Sequence, residues 1–211
     1  MVFEPETRRV LEALGDRLDG RLAIISGRSL EQIDAILGSY AADISISGSH
    51  GCEHRWNGIH AHPDRPPALG AVAERFHTFA RRWPGVIVEE KSFGVALHFR
   101  LAPEAEPFAA ALAEALANEF GFHLQHGKMV VELRVNGGDK GAAVRSLMRR
   151  APMRGTRPVF AGDDVTDEPA FAAVRELGGH GILVGEPRAT QATFNLPTPA
   201  RLRQWLKDAG Q

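Results

Sequence analysis

The chain has 211 residues, of which 44% are hydrophobic and 24% charged, with a net charge of −1. That is an ordinary globular composition, long enough for one large domain or two modest ones, and it gives no electrostatic reason to expect nucleic acid or an anionic membrane as partner. The single cysteine, Cys52, excludes an internal disulfide and fits a reducing compartment. No run approaches the roughly 18 apolar residues of a membrane span, and the opening Met1-Val2-Phe3-Glu4-Pro5 does not have the pattern of a signal peptide, so a cytoplasmic location is expected.

In chain order, Val10, Leu11, Leu14 and Leu18 mark one face of an opening helix. Leu22-Ala23-Ile24-Ile25 is a short apolar run of the buried parallel-strand kind, ending at Ser26-Gly27-Arg28. Ser29-Leu30-Glu31-Gln32 has the form of a capping box, and Leu30, Ile33, Ile36 and Leu37 repeat at helical spacing until Gly38. Ile44 to Ser47 reads as a second strand, leading into Gly48-Ser49-His50-Gly51. Asn57-Gly58 is a hairpin signal, and the Pro63 to Pro67 stretch reads as a linker.

Beyond that linker the pattern changes. A helix ending near Trp83-Pro84-Gly85 precedes a strand at Val86 to Glu90. Phe93, Val95, Leu97 and Phe99 then alternate with Gly94, Ala96, His98 and Arg100. An alanine-rich helix over about Glu104 to Phe120 follows, and Met129, Val131, Leu133 and Val135 alternate with Val130, Glu132 and Arg134. This is an α-β-β-α-β-β module with half-exposed sheet faces. The βα rhythm resumes with a helix after Lys140, a strand at Pro158 to Ala161, a helix carrying Phe171, Val174 and Leu177, a strand at Ile182 to Val184, and a terminal helix opened by Thr198-Pro199. The expected organisation is a doubly wound α/β core (1–64 and 137–211) interrupted by an inserted α+β domain (65–136).

The most informative string is Gly162-Asp163-Asp164-Val165-Thr166-Asp167-Glu168, three aspartates and a glutamate between a strand and a helix. Carboxylate oxygens at the carboxyl edge of a sheet suit a hard cation such as Mg²⁺. A plain helix start, with Asp167 as N-cap and Pro169 in the first turn, would explain the end of the string but not the Asp163-Asp164 pair. Ser26 and the amides after it stand at a strand end where they could hold a phosphate, and Lys140 stands at a glycine-rich turn into a helix where it could neutralise phosphate charge. The cluster His50, Cys52, His54, His60 and His62 lacks the paired spacing of a zinc site. His50 more naturally lines a substrate cleft.

These strings resemble the haloacid dehalogenase superfamily and, within it, the trehalose-6-phosphate phosphatase family: Leu22-Ala23-Ile24-Ile25-Ser26-Gly27-Arg28, Gly48-Ser49-His50-Gly51, Asp139-Lys140-Gly141 and Phe160 to Glu168. The similarity runs from about Pro5 to the terminal helix. It implies a Rossmann-like core with a mobile cap, Mg²⁺, and phosphoaspartate chemistry on trehalose 6-phosphate, with a functional link to trehalose-6-phosphate synthase. By this resemblance Ser26, Lys140 and Asp163 are catalytic, with Ser26 and Lys140 on the phosphoryl group and Asp163 on the metal. Asp164 and Asp167 support the metal and its waters. Gly27, Arg28, His50 and Gly51 bind substrate in the core, and Glu89, Lys91 and Glu132 bind the sugar hydroxyls from the cap. The sequence contains no Asp-x-Asp, whereas the family's nucleophile lies in a central strand ending Asp-x-Asp-Gly-Thr. Asp16-Arg17-Leu18-Asp19-Gly20 has the wrong spacing and precedes a strand instead of ending one. The expectation is a gene start placed downstream of that strand. The alternatives are a phosphatase of another sugar phosphate and a catalytically dead domain that binds sugar phosphates.

Overall fold

The computed structural model describes residues 4–56, 58–136 and 138–210. The chain divides into two compact units, Met1–His62 with Gly138–Gln211, and Pro63–Gly137. The first unit opens with helix α1 (Pro5–Arg17), started by a proline at its first position, and strand β1 (Ala23–Ile25). Helix α2 (Leu30–Leu37) begins with the capping box read from the sequence: Ser29 accepts the Gln32 amide while the Gln32 side chain accepts the Ser29 amide. Strand β2 (Ser45–Gly48) lies parallel to β1, and β3 (Glu53–Trp56) and β4 (Ile59–Ala61) extend this sheet antiparallel in the order β1-β2-β3-β4. Gly58 lies between β3 and β4 as the hairpin signal requires; Asn57 lies outside the described residues. Arg55 on β3 forks onto the Asp34 carboxylate of α2 at 2.6 and 2.9 Å, which holds that carboxyl below its usual range and clips helix to sheet.

The second unit contains helix α3 (Ala68–Ala80), strands β5 (Ile87–Lys91) and β6 (Gly94–His98), helix α4 (Glu106–Phe120), and strands β7 (His123–Gly127) and β8 (Val130–Arg134). The strands form one antiparallel sheet in the order β5-β6-β8-β7. Val95, Leu97, Val131 and Leu133 are buried against Leu69, Val72 and Phe76 of α3 and Ala109, Ala113 and Leu116 of α4. The alternation along β6 and β8 thus buries one sheet face under the two helices and leaves the other polar.

The first unit resumes with α5 (Lys140–Met148), β9 (Val159–Gly162), α6 (Glu168–Glu176), β10 (His180–Val184), β11 (Phe194–Leu196) and α7 (Pro199–Ala209). Strands β9, β10 and β11 pair in parallel, in the order β11-β10-β9. Strand β11 had no sequence signal: Phe194-Asn195-Leu196 is too short and too polar to alternate. The fold is α/β with parallel pairing, but its parallel strands belong to two sheets, not one. Among the described residues β1 pairs only with β2, and β9 only with β10, so each strand keeps one edge without a ladder. Both edges line the same apolar cavity of about 540 Å³, together with Leu14 of α1, Val144 of α5 and Trp205 of α7. Val159 of β9 is 54% exposed as a consequence. Among the described residues no helix is long and apolar enough to cross a membrane.

Burial holds the pKa of His54, on β3, below the usual histidine value of 6.5, and the nearby Arg150 charge adds to the effect. A depressed histidine pKa means the unfolded chain takes the proton more readily. His54 therefore contributes stability that is fully present above pH 6.5 and is lost as pH falls from there toward the folded value. The urea midpoint should fall between pH 7.5 and 5.5, and His54→Gln should fall less over the same interval. Equal drops in the two proteins would remove His54 from this role.

Candidate functional site

Ser26 follows β1 directly. Its amide donates to the Ser47 carbonyl at 2.9 Å, which fixes it beside the end of β2, and its hydroxyl oxygen accepts the Arg28 amide at 3.2 Å. The turn at 48–51 lies against this loop. Ser49 donates its amide to the Arg28 carbonyl at 2.7 Å, and His50 donates to the Ser26 carbonyl at 3.0 Å. His50 adopts a left-handed backbone conformation (φ 55°), and its ring covers Gly27 so closely that a Cβ there would lie 2.5 Å from Nε2. A glycine is therefore required at 27 for the ring to sit over the loop. Gly51 in turn approaches the Asp139 carbonyl, where α5 begins. Asp139 caps that helix by accepting the Ala142 amide at 2.6 Å, and this sets Lys140 at its first position.

Lys140 leads to the acidic string. Its Nζ contacts Asp167 Oδ1 at 2.5 Å, with the two side chains only 13% and 2% exposed. The other Asp167 oxygen accepts the amides of Asp163 and Asp164, both at 2.9 Å. Both carboxylate oxygens of Asp167 are thus taken by protein donors, and Asp167 holds the loop in shape from beneath. Asp164 caps the short 3-10 turn Val165–Asp167, accepting the Thr166 amide at 2.9 Å with Asp167 as its capping-box partner, and Asp167 stands at the N-cap of α6 without a side-chain cap bond of its own there. Asp163 and Asp164 are exposed, and the Thr166 amide, with help from Lys140 and Arg188, holds the Asp164 carboxyl below its usual range. A Cβ at Gly162 would lie 2.4 Å from the Asp167 carboxylate, so any side chain there would displace Asp167 from its place under the loop.

Sequence reasoning missed three supporting residues. Arg188 donates to the Asp164 carbonyl at 2.8 Å and to Glu168, whose second oxygen accepts the Gln191 amide at 2.7 Å. The 188–191 segment is thereby pinned to the acidic loop. Glu53, buried at the start of β3, was the third. A pairing across 20 or more residues leaves no local pattern, so neither the role of Glu168, which closes the acidic string, nor that of Glu53, two residues past the Gly48 to Gly51 turn, could be read locally.

These contacts run without a break from Ser26 through His50, Gly51, Asp139 and Lys140 to Asp167 and Asp163. They bring together the core residues singled out from the sequence. Both β1 and β9 therefore end at this cluster, beside the cavity that the two strands share. The two exposed carboxylates of Asp163 and Asp164 fit Mg²⁺, which takes one or two carboxylates and keeps its remaining positions for water and phosphate oxygens. Among the described residues no group of three or more His, Cys, Asp or Glu side chains converges as a metal cage.

In the second unit, Glu89, Ala96, Glu132 and Gln125 stand opposite one another across β5, β6, β8 and β7, so they share one face of the sheet. Lys91 Nζ lies 2.7 Å from Glu132 and 4.0 Å from Glu89, and His98 Nε2 lies 2.9 Å from Glu89. The polar face thus joins Glu89, Lys91 and Glu132 in one hydrogen-bonding patch, to which His98 belongs as well.

Residues 1–200 match the trehalose-phosphatase family model. The chain is 38% identical over 200 residues to the trehalose-6-phosphate phosphatase of Escherichia coli (strain K12), covering 93% of this chain and 74% of that protein. It is 35% identical over 203 residues to a probable trehalose-phosphate phosphatase of Sinorhizobium fredii (strain NBRC 101917 / NGR234), covering 94% and 76%. Among solved structures, a trehalose-6-phosphate phosphatase related protein superposes with a TM-score of 0.80 at 31% identity, over 99% of this chain and 88% of the other. By the family model that matches residues 1–200, the identity to its relatives and the fold, the chain belongs to the trehalose-phosphatase family.

Proposed function

We propose that this protein is part of a phosphatase that hydrolyses trehalose 6-phosphate to trehalose and phosphate, acting in the cytoplasm beside a trehalose-6-phosphate synthase. The observation that carries the reading is the unbroken contact path joining Ser26, His50, Lys140, Asp167 and Asp163 at the common end of β1 and β9. In it, the Ser26 hydroxyl proton and the Gly27 amide hold the phosphoryl group, joined by the Arg28 amide as it gives up its 3.2 Å bond to the Ser26 oxygen, as backbone donors at a strand end do. Lys140 adds positive charge, and Asp163 and Asp164 hold Mg²⁺, which lowers the cost of charge on the phosphoryl oxygens. His50 and Gly51 close one side of the cradle. Glu89, Lys91 and Glu132 in the second unit supply both donors and acceptors, the mixture that sugar hydroxyls need.

The nucleophile calls for a further element. An extended apolar strand seated in the cavity between β1 and β9 would complete both ladders and end beside Ser26 and Asp163. A strand ending Asp-x-Asp-Gly-Thr would bring a carboxylate oxygen to attack phosphorus, and the sugar oxygen would leave with a proton from the second aspartate. Water then releases phosphate from the acyl phosphate. In-frame codons for such a strand upstream of Met1 would support this arrangement.

The assay is phosphate release from trehalose 6-phosphate with Mg²⁺, on the chain carrying such a strand. EDTA should abolish it. Asp163→Asn should lose at least about 100-fold on every phosphate ester, whereas Glu132→Ala should damage trehalose 6-phosphate turnover and spare a small ester such as p-nitrophenyl phosphate. A strong preference for glucose 6-phosphate or sucrose 6-phosphate would reject the trehalose assignment, and equal losses on both esters in Glu132→Ala would reject the role given to the polar sheet face.

A further inference from the structure

Glu53 is a buried carboxylate, 6% exposed, at the first position of β3. Its Oε2 accepts the Leu30 amide at 2.7 Å, and its Oε1 accepts the Ser49 hydroxyl at 3.1 Å. Leu30 is the first residue of α2, whose opening amides have no partner within the helix. Ser29 accepts the Gln32 amide, and Glu53 takes the Leu30 amide from another strand. One carboxylate therefore grips both the segment that follows Ser26-Gly27-Arg28 and the turn that carries His50. Between these anchors the two segments are laced by the backbone bonds from Ser49 to Arg28 and from His50 to Ser26. Bonds to a buried carboxylate are the stronger kind, and a negative group at a helix N-terminus is well placed.

We infer that Glu53 is a positioning residue that locks the Ser26–Arg28 loop to the His50 turn and so sets the spacing of the phosphate-holding amides. Because it touches neither substrate nor metal in this scheme, it acts only through the two loops. The inference rests on the proposed phosphate site and deepens it. Chemistry at this position is specific: glutamine keeps both bonds, since its carbonyl accepts the Leu30 amide and its amide group donates to the Ser49 hydroxyl oxygen. Alanine keeps neither.

The test titrates inorganic phosphate into the folded wild type, Glu53→Gln and Glu53→Ala, following the amide signals of Gly27, Arg28 and His50. Hydrogen exchange at Leu30, Ser49 and His50 is measured in parallel. Wild type and Glu53→Gln should bind alike, and Glu53→Ala should bind about tenfold more weakly, with exchange at those three amides accelerated by a similar factor. Unchanged affinity in folded Glu53→Ala would make Glu53 merely stabilising and overturn the inference. Glu53→Gln as weak as Glu53→Ala would overturn it too, because the bonds would then not be what matters. If the wild type itself ignores phosphate, the proposed site is rejected. The exchange rates then decide separately on the clamp: selective acceleration in Glu53→Ala upholds it, and unchanged rates reject it.

Discussion

Fusing an apolar strand of about six residues, ending Asp-x-Asp-Gly-Thr, ahead of residue 1 should raise turnover of trehalose 6-phosphate on the order of 10⁴-fold or more over residues 1–211 alone. Removing a nucleophile costs factors of that size because the remaining groups bind and polarise the ester without attacking it. The melting temperature should rise as well, by at least about 10 °C, since the added strand pairs with the open edges of β1 and β9 and buries the cavity-lining leucines and Val159. A control with both aspartates replaced by asparagine should keep the thermal gain and lose the activity. That combination separates the seat of the strand from its chemistry. If neither fusion raises the melting temperature, the cavity does not accept a strand; if residues 1–211 turn over substrate as fast as the fusion, the nucleophile lies elsewhere.

The geometry of the two edges suits them to a strand between them. A sheet edge is a row of amides and carbonyls that need partners, and exposed edges invite pairing with other chains. Here two such edges, from strands that end at the same cluster, face one apolar space of about 540 Å³. Leu14, Val144 and Trp205, from three different helices, wall that space. A helical bundle would have no use for an apolar space with strand edges on two sides.

Much of this was legible in the sequence, for identifiable reasons. The α2 start was readable because a capping box is a local device whose two bonds lie within four residues, and the structure forms both. The β6 and β8 strands were readable because a sheet with one buried face forces alternation, and Val95, Leu97, Val131 and Leu133 obey it. The acidic string announced itself by more carboxylates than one helix start uses: Asp164 and Asp167 form a capping box, and Asp163 is left over. What did not show was everything made by distant partners. The sequence could not reveal that Asp167 turns inward to Lys140 while Asp163 turns outward, because both belong to the same string. Nor could it reveal Arg188 reaching the Asp164 carbonyl, or β11, whose pairing to β10 depends on the ladder and not on its own composition. The split of the core into two sheets could be expected only from the resemblance, whose central strand ending Asp-x-Asp-Gly-Thr has no counterpart here, since β1 and β9 each read as an ordinary buried strand.

Asp167 is where stability and site geometry meet, and its removal should have a large effect on both. Its carboxylate satisfies the Lys140 ammonium and two loop amides, and it is 1% exposed. Asp167→Ala would leave a nearly buried lysine charge without its partner, a loss of about 3–5 kcal/mol by comparison with broken buried pairs. Asp167→Asn is no remedy, although its carbonyl can still accept the two amides. Its amide group would then face Lys140, placing donor against donor. Adding Lys140→Met to Asp167→Asn removes that conflict, so the double variant should regain at least about 2 kcal/mol over the single one, a coupling of the size seen between contacting residues. Phosphate binding should not return with it, because the positive charge is gone while the loop is restored. Urea denaturation of the two single variants and the double variant, paired with phosphate titration of each, measures both quantities. Additive stabilities would show that Lys140 and Asp167 do not act as a pair. Recovered phosphate binding in the double variant would show that the lysine holds the loop and has no part in holding the anion.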